Sequence, residues 1–94
     1  MENINKYLNE YKENINNFDK AQDILYELYN YIFDILVDNF DNSEKAYLYI
    51  YDNIIKAFRL NLLSYKDGYI SKAAEEKILD LLITDLKAKV KQLL

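Results

Sequence analysis

The sequence predicts an all-α fold, a compact four-helix bundle with short connections. The chain has a single glycine and no proline, so it offers few positions for the tight turns that a many-stranded sheet needs. Apolar residues recur at three- and four-residue spacing along most of the chain, which is the period of one helix face. Residues that favour helix caps and turns interrupt this period at three places, so that four helices result.

The first two predicted helices cover about residues 2–17 and 20–40. The first has a narrow apolar stripe, which suits an outer helix that contacts the body on one side. Asp19, with Gln22 three residues later, is typical of a capping box and predicts the start of the second helix. The two predicted core faces are Ile4, Tyr7, Leu8, Tyr11, Ile15 and Phe18 in the first helix, and Leu25, Leu28, Tyr29, Ile32, Ile35, Leu36 and Phe40 in the second.

The third predicted helix, at about residues 44–63 with Asn42 or Ser43 as its cap, is the one that the rest of the chain should surround. Its segment Ala46–Leu63 is apolar over most of the helix circumference, so it must contact neighbours on several sides. Its main face consists of Tyr47, Ile50, Tyr51, Ile54, Ala57, Phe58 and Asn61. Four further apolar residues fall outside this face: Leu48, Tyr49, Leu60 and Leu63.

The last predicted helix covers about residues 72–92. Residues 64–68 form the predicted turn before it, because Gly68 takes a positive φ without penalty, and Ser71 is the predicted cap. The core seam of this helix is Leu79, Leu82, Ile83, Leu86, Val90 and Leu93. Short connections favour antiparallel neighbours in an up-down bundle; a less regular arrangement, with the first helix crossing the others, is the alternative.

The composition argues against catalysis. Residues 1–94 are long enough for one domain, and they contain no cysteine and no histidine. The chain therefore lacks a thiol nucleophile and the usual base near neutral pH. The carboxylates of the second helix all look solvated. An acid–base pair needs two carboxylates whose environments separate their pKa values, and this face offers no such contrast. We predict no enzymatic activity and no catalytic residue.

No metal ion or cofactor is predicted either. Residues 38–44 loosely resemble a calcium loop, but the segment is too short, lacks the required glycine and places Phe40 at a ligand position. A single glycine rules out a glycine-rich phosphate loop.

The segments that would direct the chain to a membrane are not visible in the sequence. The N-terminal residues contain no apolar signal-peptide core, and Glu27, Asn30 and Asp34 interrupt the longest apolar run. We therefore expect a cytoplasmic protein without a membrane span. The abundance of Asn, Tyr, Ile and Lys is typical of an AT-rich bacterial or phage genome.

Negative charge is concentrated in the first half of the chain. Residues 1–43 hold nine acidic residues against three lysines, whereas residues 44–94 hold seven against nine basic residues. On the second helix the polar residues fall within about 80° of one face, here called the acidic stripe: Asp23, Glu27, Asn30, Asp34, Asp38 and Asp41. The stripe is a solvated outer face, a docking surface for a basic partner or a partial mimic of nucleic-acid phosphates. It disfavours nucleic acid as a partner.

Exposed aromatic and aliphatic residues offer a second kind of contact surface. Half of the ten tyrosines lie off the predicted core faces, and tyrosine is enriched in protein interfaces. Tyr49 shares its side with Lys45, Lys56 and Arg59, which leaves base stacking on single-stranded nucleic acid as an alternative. Leu48, Leu60 and Leu63 form either a patch for a homodimer or core covered by the first helix.

The sequence therefore favours a small acidic, non-catalytic protein-binding protein, an inhibitor or adaptor encoded by a mobile element, of the anti-defence or immunity type. Its partner is expected to present a basic surface. Four-helix immunity proteins share this size and helix count, which is a similarity of fold alone. The alternatives are a homo-oligomeric structural bundle subunit and a helical nucleic-acid-binding module. The predicted binding residues are Asp23, Glu27, Asp34, Asp38, Tyr49, Leu60 and Leu63.

Overall fold

The computed structural model describes all 94 residues and contains four helices and no strand, as the sequence predicts. The third helix is interrupted by one π turn but continues through it. The helices are α1 (Glu2–Glu13), α2 (Phe18–Leu36, followed by a 3-10 turn at Val37–Asn39), α3 (residues 43–67, with the π turn at Tyr51–Ile55) and α4 (Lys72–Leu93). Helices that follow one another in the chain pack against each other.

The boundary between α1 and α2 differs from the prediction. The side chain of Asn17, not Asp19, caps α2 by accepting a hydrogen bond from the backbone N–H of Lys20 at 3.3 Å. Helix α1 ends at Glu13, where the Asn14 amide donates to the Glu10 carbonyl at 2.8 Å. Asparagine side chains compete for backbone bonds in this way, and the run of asparagines at 14, 16 and 17 therefore ends α1 earlier than its apolar period suggests.

The remaining caps largely follow the sequence. The Asn42 side chain accepts from the backbone N–H of Lys45 at 2.9 Å, and the Ser71 hydroxyl accepts from that of Ala74 at 3.2 Å. Two predicted ends were wrong. Helix α2 stops at Leu36 rather than near residue 40, and α3 continues to Asp67. Helix α3 ends only where Gly68 adopts a left-handed φ of 71°, the usual geometry of a helix C-terminus.

Helix α3 is held by hydrogen bonds from each of the other three helices. Each neighbour donates a side-chain bond to a carbonyl oxygen of the α3 backbone, so that its position is fixed from several sides. The donors are Tyr11 of α1 to Phe58 at 3.4 Å, Tyr29 of α2 to Tyr47 at 2.7 Å and Lys89 of α4 to Asn53 at 2.7 Å. This arrangement agrees with the expectation that the chain packs around its third helix.

The π turn changes which residues of α3 are buried. A π turn adds one residue to the helix, so the part that follows is rotated relative to a regular α-helix. The prediction that Ala57 belongs to the buried face was wrong, because it is exposed and Ile55 and Leu62 are buried instead. Tyr47, which precedes the π turn, was also predicted to be buried but is exposed, and its ring stacks on Phe33 of α2. The core is completed by buried residues of the other helices, among them Leu28 and Ile32 of α2 and Leu86 and Val90 of α4. None of the four helices is long and apolar enough to cross a membrane.

Tyr11 should make the stability of the fold depend on alkaline pH. Burial raises the pKa of its phenol far above the ordinary value. The folded chain therefore keeps the proton while the unfolded chain loses it, so this contribution is complete below about pH 10 and is lost as the pH rises further. We expect Tyr11→Phe to lower the free energy of unfolding by about 0.5–1.5 kcal/mol at neutral pH. Between about pH 9 and pH 11, the free energy of unfolding of Tyr11→Phe should fall less steeply with rising pH than that of the wild type.

The measurement is urea unfolding followed by circular dichroism across this pH range. Tyr69→Phe is the control, because Tyr69 is the most exposed of the large hydrophobic residues. Parallel pH curves for Tyr11→Phe and wild type would show that another group causes the decline.

Candidate protein-binding surface

The acidic stripe is exposed to solvent along its whole length. Its first four members lie on α2, whereas Asp38 lies in the 3-10 turn and Asp41 just after it. Asp41 forms an ion pair with Lys45, with 3.1 Å between the carboxylate oxygen and Nζ. The other four carboxylates of the stripe have no basic group within 4.0 Å. The outer side of α2 therefore carries negative charge that no direct ion pair neutralises.

A small apolar depression, here called the α2–α3 pocket, lies between these two helices. Its volume is about 120 Å³. Most of its surface is apolar, and Gln22 and Arg59 are the two lining residues that are not hydrophobic. Its apolar lining includes Phe18, Leu25 and Tyr26 from α2, and Ile55, Leu62 and Leu63 from α3. Of the predicted binding residues, only Leu63 lies here.

Two positive charges of α3 lie at or near this pocket. Arg59 forms no ion pair, and the ammonium of Lys66 lies 4.3 Å from the ring centroid of Phe18. The α2 wall continues into the acidic stripe, because Tyr26 lines the pocket and Asp23 and Glu27 flank it on the same helix. The pocket therefore separates a positive edge from a negative one.

Four aromatic rings pack together between α2 and α3 next to the pocket. The rings of Phe33 and Tyr47 stack with centroids 3.8 Å apart and planes 5° apart. Tyr29 meets Tyr47 edge-on at 5.6 Å and lies 6.3 Å from the ring of Tyr51. Partial burial, followed by the neighbouring phenols, raises the pKa of Tyr29. Aromatic pairs of this kind add stability beyond their buried area, so they strengthen the packing of α2 on α3 beside the pocket.

The other predicted binding residues do not join the pocket. Tyr49 packs its ring 5.3 Å from that of Phe40, beside the end of the acidic stripe. Leu60 is 57% exposed and Leu48 is 56% exposed on α3. The alternative that α1 covers Leu48, Leu60 and Leu63 was wrong. Helix α1 instead lies against α2 and α4. Asn3 donates a hydrogen bond to the Tyr31 hydroxyl of α2, and Lys12 forms an ion pair with Asp80 of α4.

A buried polar cluster that the sequence pattern did not predict lies between α3 and α4. Glu75 is only 2% exposed and has no ion pair. One of its carboxylate oxygens accepts from the Asn61 amide at 2.6 Å and the other from the Ser64 hydroxyl at 2.5 Å. The Asn61 amide oxygen is buried without a hydrogen-bond partner. The one signal available in the sequence was a polar Asn61 on a predicted core face.

The acidic side chains do not form a cluster that could bind a metal ion. No three acidic side chains lie close enough together to hold a metal ion, and residues 38–44 form a 3-10 turn and the start of α3 rather than a closed loop.

Comparison with protein-family models, with curated protein sequences and with solved structures gives no match.

Proposed function

We propose that this chain is a small acidic, non-catalytic protein-binding protein whose acidic stripe docks on a basic surface of its partner. The observation that carries the proposal is the set of exposed carboxylates without an ion pair: Asp23, Glu27, Asp34 and Asp38. Like charges at three- and four-residue spacing destabilise a helix by a few tenths of a kcal/mol per pair. A basic partner would relieve this repulsion and would be attracted from a distance.

The form of this function that we favour is an inhibitor or adaptor encoded by a mobile element, of the anti-defence or immunity type, acting in the cytoplasm. Small size, acidic charge and a composition typical of AT-rich bacterial or phage genomes support it. Such a protein needs only a stable scaffold and one contact surface, which a four-helix domain provides.

A homodimer is the second candidate, because Leu48, Leu60 and Leu63 are exposed on one helix. Several exposed apolar residues together form a patch that soluble monomers tend to avoid. Nucleic acid has weaker support, since Tyr49 already packs on Phe40 and Lys45 already pairs with Asp41.

Reversing charge on the stripe tests the proposal. The chain is immobilised, basic proteins from a lysate of the encoding organism are captured, and the salt-eluted protein is purified for affinity measurements. The variant Asp23→Lys with Glu27→Lys should weaken binding about tenfold or more at low salt. Its free energy of unfolding should change by no more than about 0.5 kcal/mol.

The control is Glu13→Lys with Glu76→Lys, which changes net charge equally at two exposed, unpaired carboxylates outside the stripe. It should bind nearly as the wild type does. Equal weakening in both variants would mean that net charge, and not the stripe, governs binding.

A further inference from the structure

We propose that the α2–α3 pocket receives one large apolar side chain of a protein partner, with a carboxylate of the same partner beside it bound by Arg59. This inference rests on the proposed function, because it names the anchor of that protein contact. It adds an apolar site and a positive site to an interface in which the stripe alone would be negative.

The size of the pocket favours a single side chain. An engineered cavity of about 150 Å³ lined by Leu, Ile and Phe holds one benzene molecule, and the volume here is about 120 Å³. Sites for drug-sized ligands usually measure about 300–1,000 Å³. One phenyl ring or one branched aliphatic group therefore fits, and a larger metabolite does not.

The lining gives the chemistry of the occupant. Phe18, Leu25 and Leu62 supply apolar surface, and Arg59 is the only charged residue that lines the pocket. Arg59 has no carboxylate of this chain to bind, and a guanidinium pairs with a carboxylate through two parallel hydrogen bonds. Lys66, held above Phe18, adds a second positive charge nearby.

The position of the pocket connects it with the stripe. Tyr26 lines the pocket and lies on α2 between Asp23 and Glu27. Binding energy in protein interfaces concentrates in apolar anchors seated in pockets and surrounded by a polar rim. A partner that uses both features carries an apolar residue, an acidic residue on the Arg59 side and basic residues on the Asp23 side.

The π turn contributes directly to the pocket. Its first and last residues, Tyr51 and Ile55, both line it, while Ile54 is buried in the core. Within this one turn, α3 therefore contributes side chains both to the core and to the pocket. Single π turns within α-helices are frequent at functional sites, which supports a role for this one in binding.

The test uses 3-phenylpropionate, a phenyl ring with a carboxylate, titrated into the ¹⁵N-labelled full chain and followed by amide chemical shifts. We expect saturable shifts confined to residues around the pocket, with millimolar affinity. The neutral 3-phenylpropionamide should bind about two- to fivefold more weakly, as the loss of one exposed ion pair implies. Arg59→Gln should reduce the affinity for the acid to that for the amide.

Two matched variants separate this inference from the proposed function. Lys77→Gln removes an exposed, unpaired cation of α4 and should leave probe binding unchanged. Asp23→Lys with Glu27→Lys should also keep it, because the probe does not use the stripe. If the stripe variant still binds the captured partner as the wild type does, and the wild type still binds the probe, the proposed docking through the stripe is refuted while the pocket remains.

Three results would overturn the inference. The first is a lack of saturable shifts at the pocket, or shifts to which Arg59→Gln makes no difference. The second is probe affinity in the low micromolar range, which would assign the pocket to a small free acid. The third is movement of the same resonances when the protein alone is diluted, which would assign it to a second copy of the chain.

Discussion

Phe58→Ala should lower the free energy of unfolding by about 3–5 kcal/mol. Phe58 is 1% exposed in the middle of α3, and its ring meets that of Tyr11 edge-on with centroids 5.9 Å apart. Truncation leaves a cavity that the neighbouring helices fill only in part. Because domains of this size are stable by about 5–15 kcal/mol, the loss should be plain in urea unfolding followed by circular dichroism. Ile54→Ala, also in the core, should cost about 2–5 kcal/mol.

Leu60→Ala is the matched control for Phe58→Ala. It removes a large apolar side chain from the same helix two residues later, but Leu60 is largely exposed. We expect a loss within about 0.5 kcal/mol. Losses of similar size in the two variants would mean that the buried face of α3 is assigned incorrectly.

Asn61→Ala should lower the free energy of unfolding by about 1.5–3 kcal/mol. The variant removes the amide that donates to the buried carboxylate of Glu75 at 2.6 Å. The Glu75 carboxylate would keep only the hydrogen bond from the Ser64 hydroxyl, and a buried carboxylate that loses a donor is costly. Urea unfolding near neutral pH gives the loss directly.

A double-mutant cycle isolates this contact. Glu75→Gln replaces the charged acceptor with a neutral group of similar size. In that background Asn61→Ala should cost clearly less, because the bond to a charged acceptor has already gone. Equal cost in both backgrounds would assign the effect to the cavity left by Asn61 and not to the carboxylate.

The fold was largely predictable because helical period and cap chemistry act locally. Ser71 was found as a cap from neighbouring residues alone, and the cap of α3 was predicted to be Asn42 or Ser43, of which the structure uses Asn42. The start of α2 was missed because Asn17 and Asp19 are both good caps, and the choice between them depends on how α1 ends. The π turn was missed because the adjacent Ile54 and Ile55 fit the apolar period with or without an additional residue.

The candidate site was predictable only where it depends on one helix. The exposure of Asp23, Glu27 and Asp34 follows from the wheel of α2. The α2–α3 pocket does not, since it exists only where two helices pack against each other, and Arg59 gave no local signal of lining it. Glu75 was missed for the same reason, because its partners Asn61 and Ser64 lie on another helix.

The measurement that most directly tests binding through the acidic stripe is the association rate constant with the captured partner as a function of salt. Stopped-flow or surface-based kinetics would compare the wild type, Asp23→Lys with Glu27→Lys, and the charge-matched Glu13→Lys with Glu76→Lys. We predict a wild-type rate constant that falls steeply with rising salt. The stripe variant should associate more slowly with little salt dependence, and the control should follow the wild type. Identical rate constants and salt dependence in all three proteins would contradict docking through the stripe.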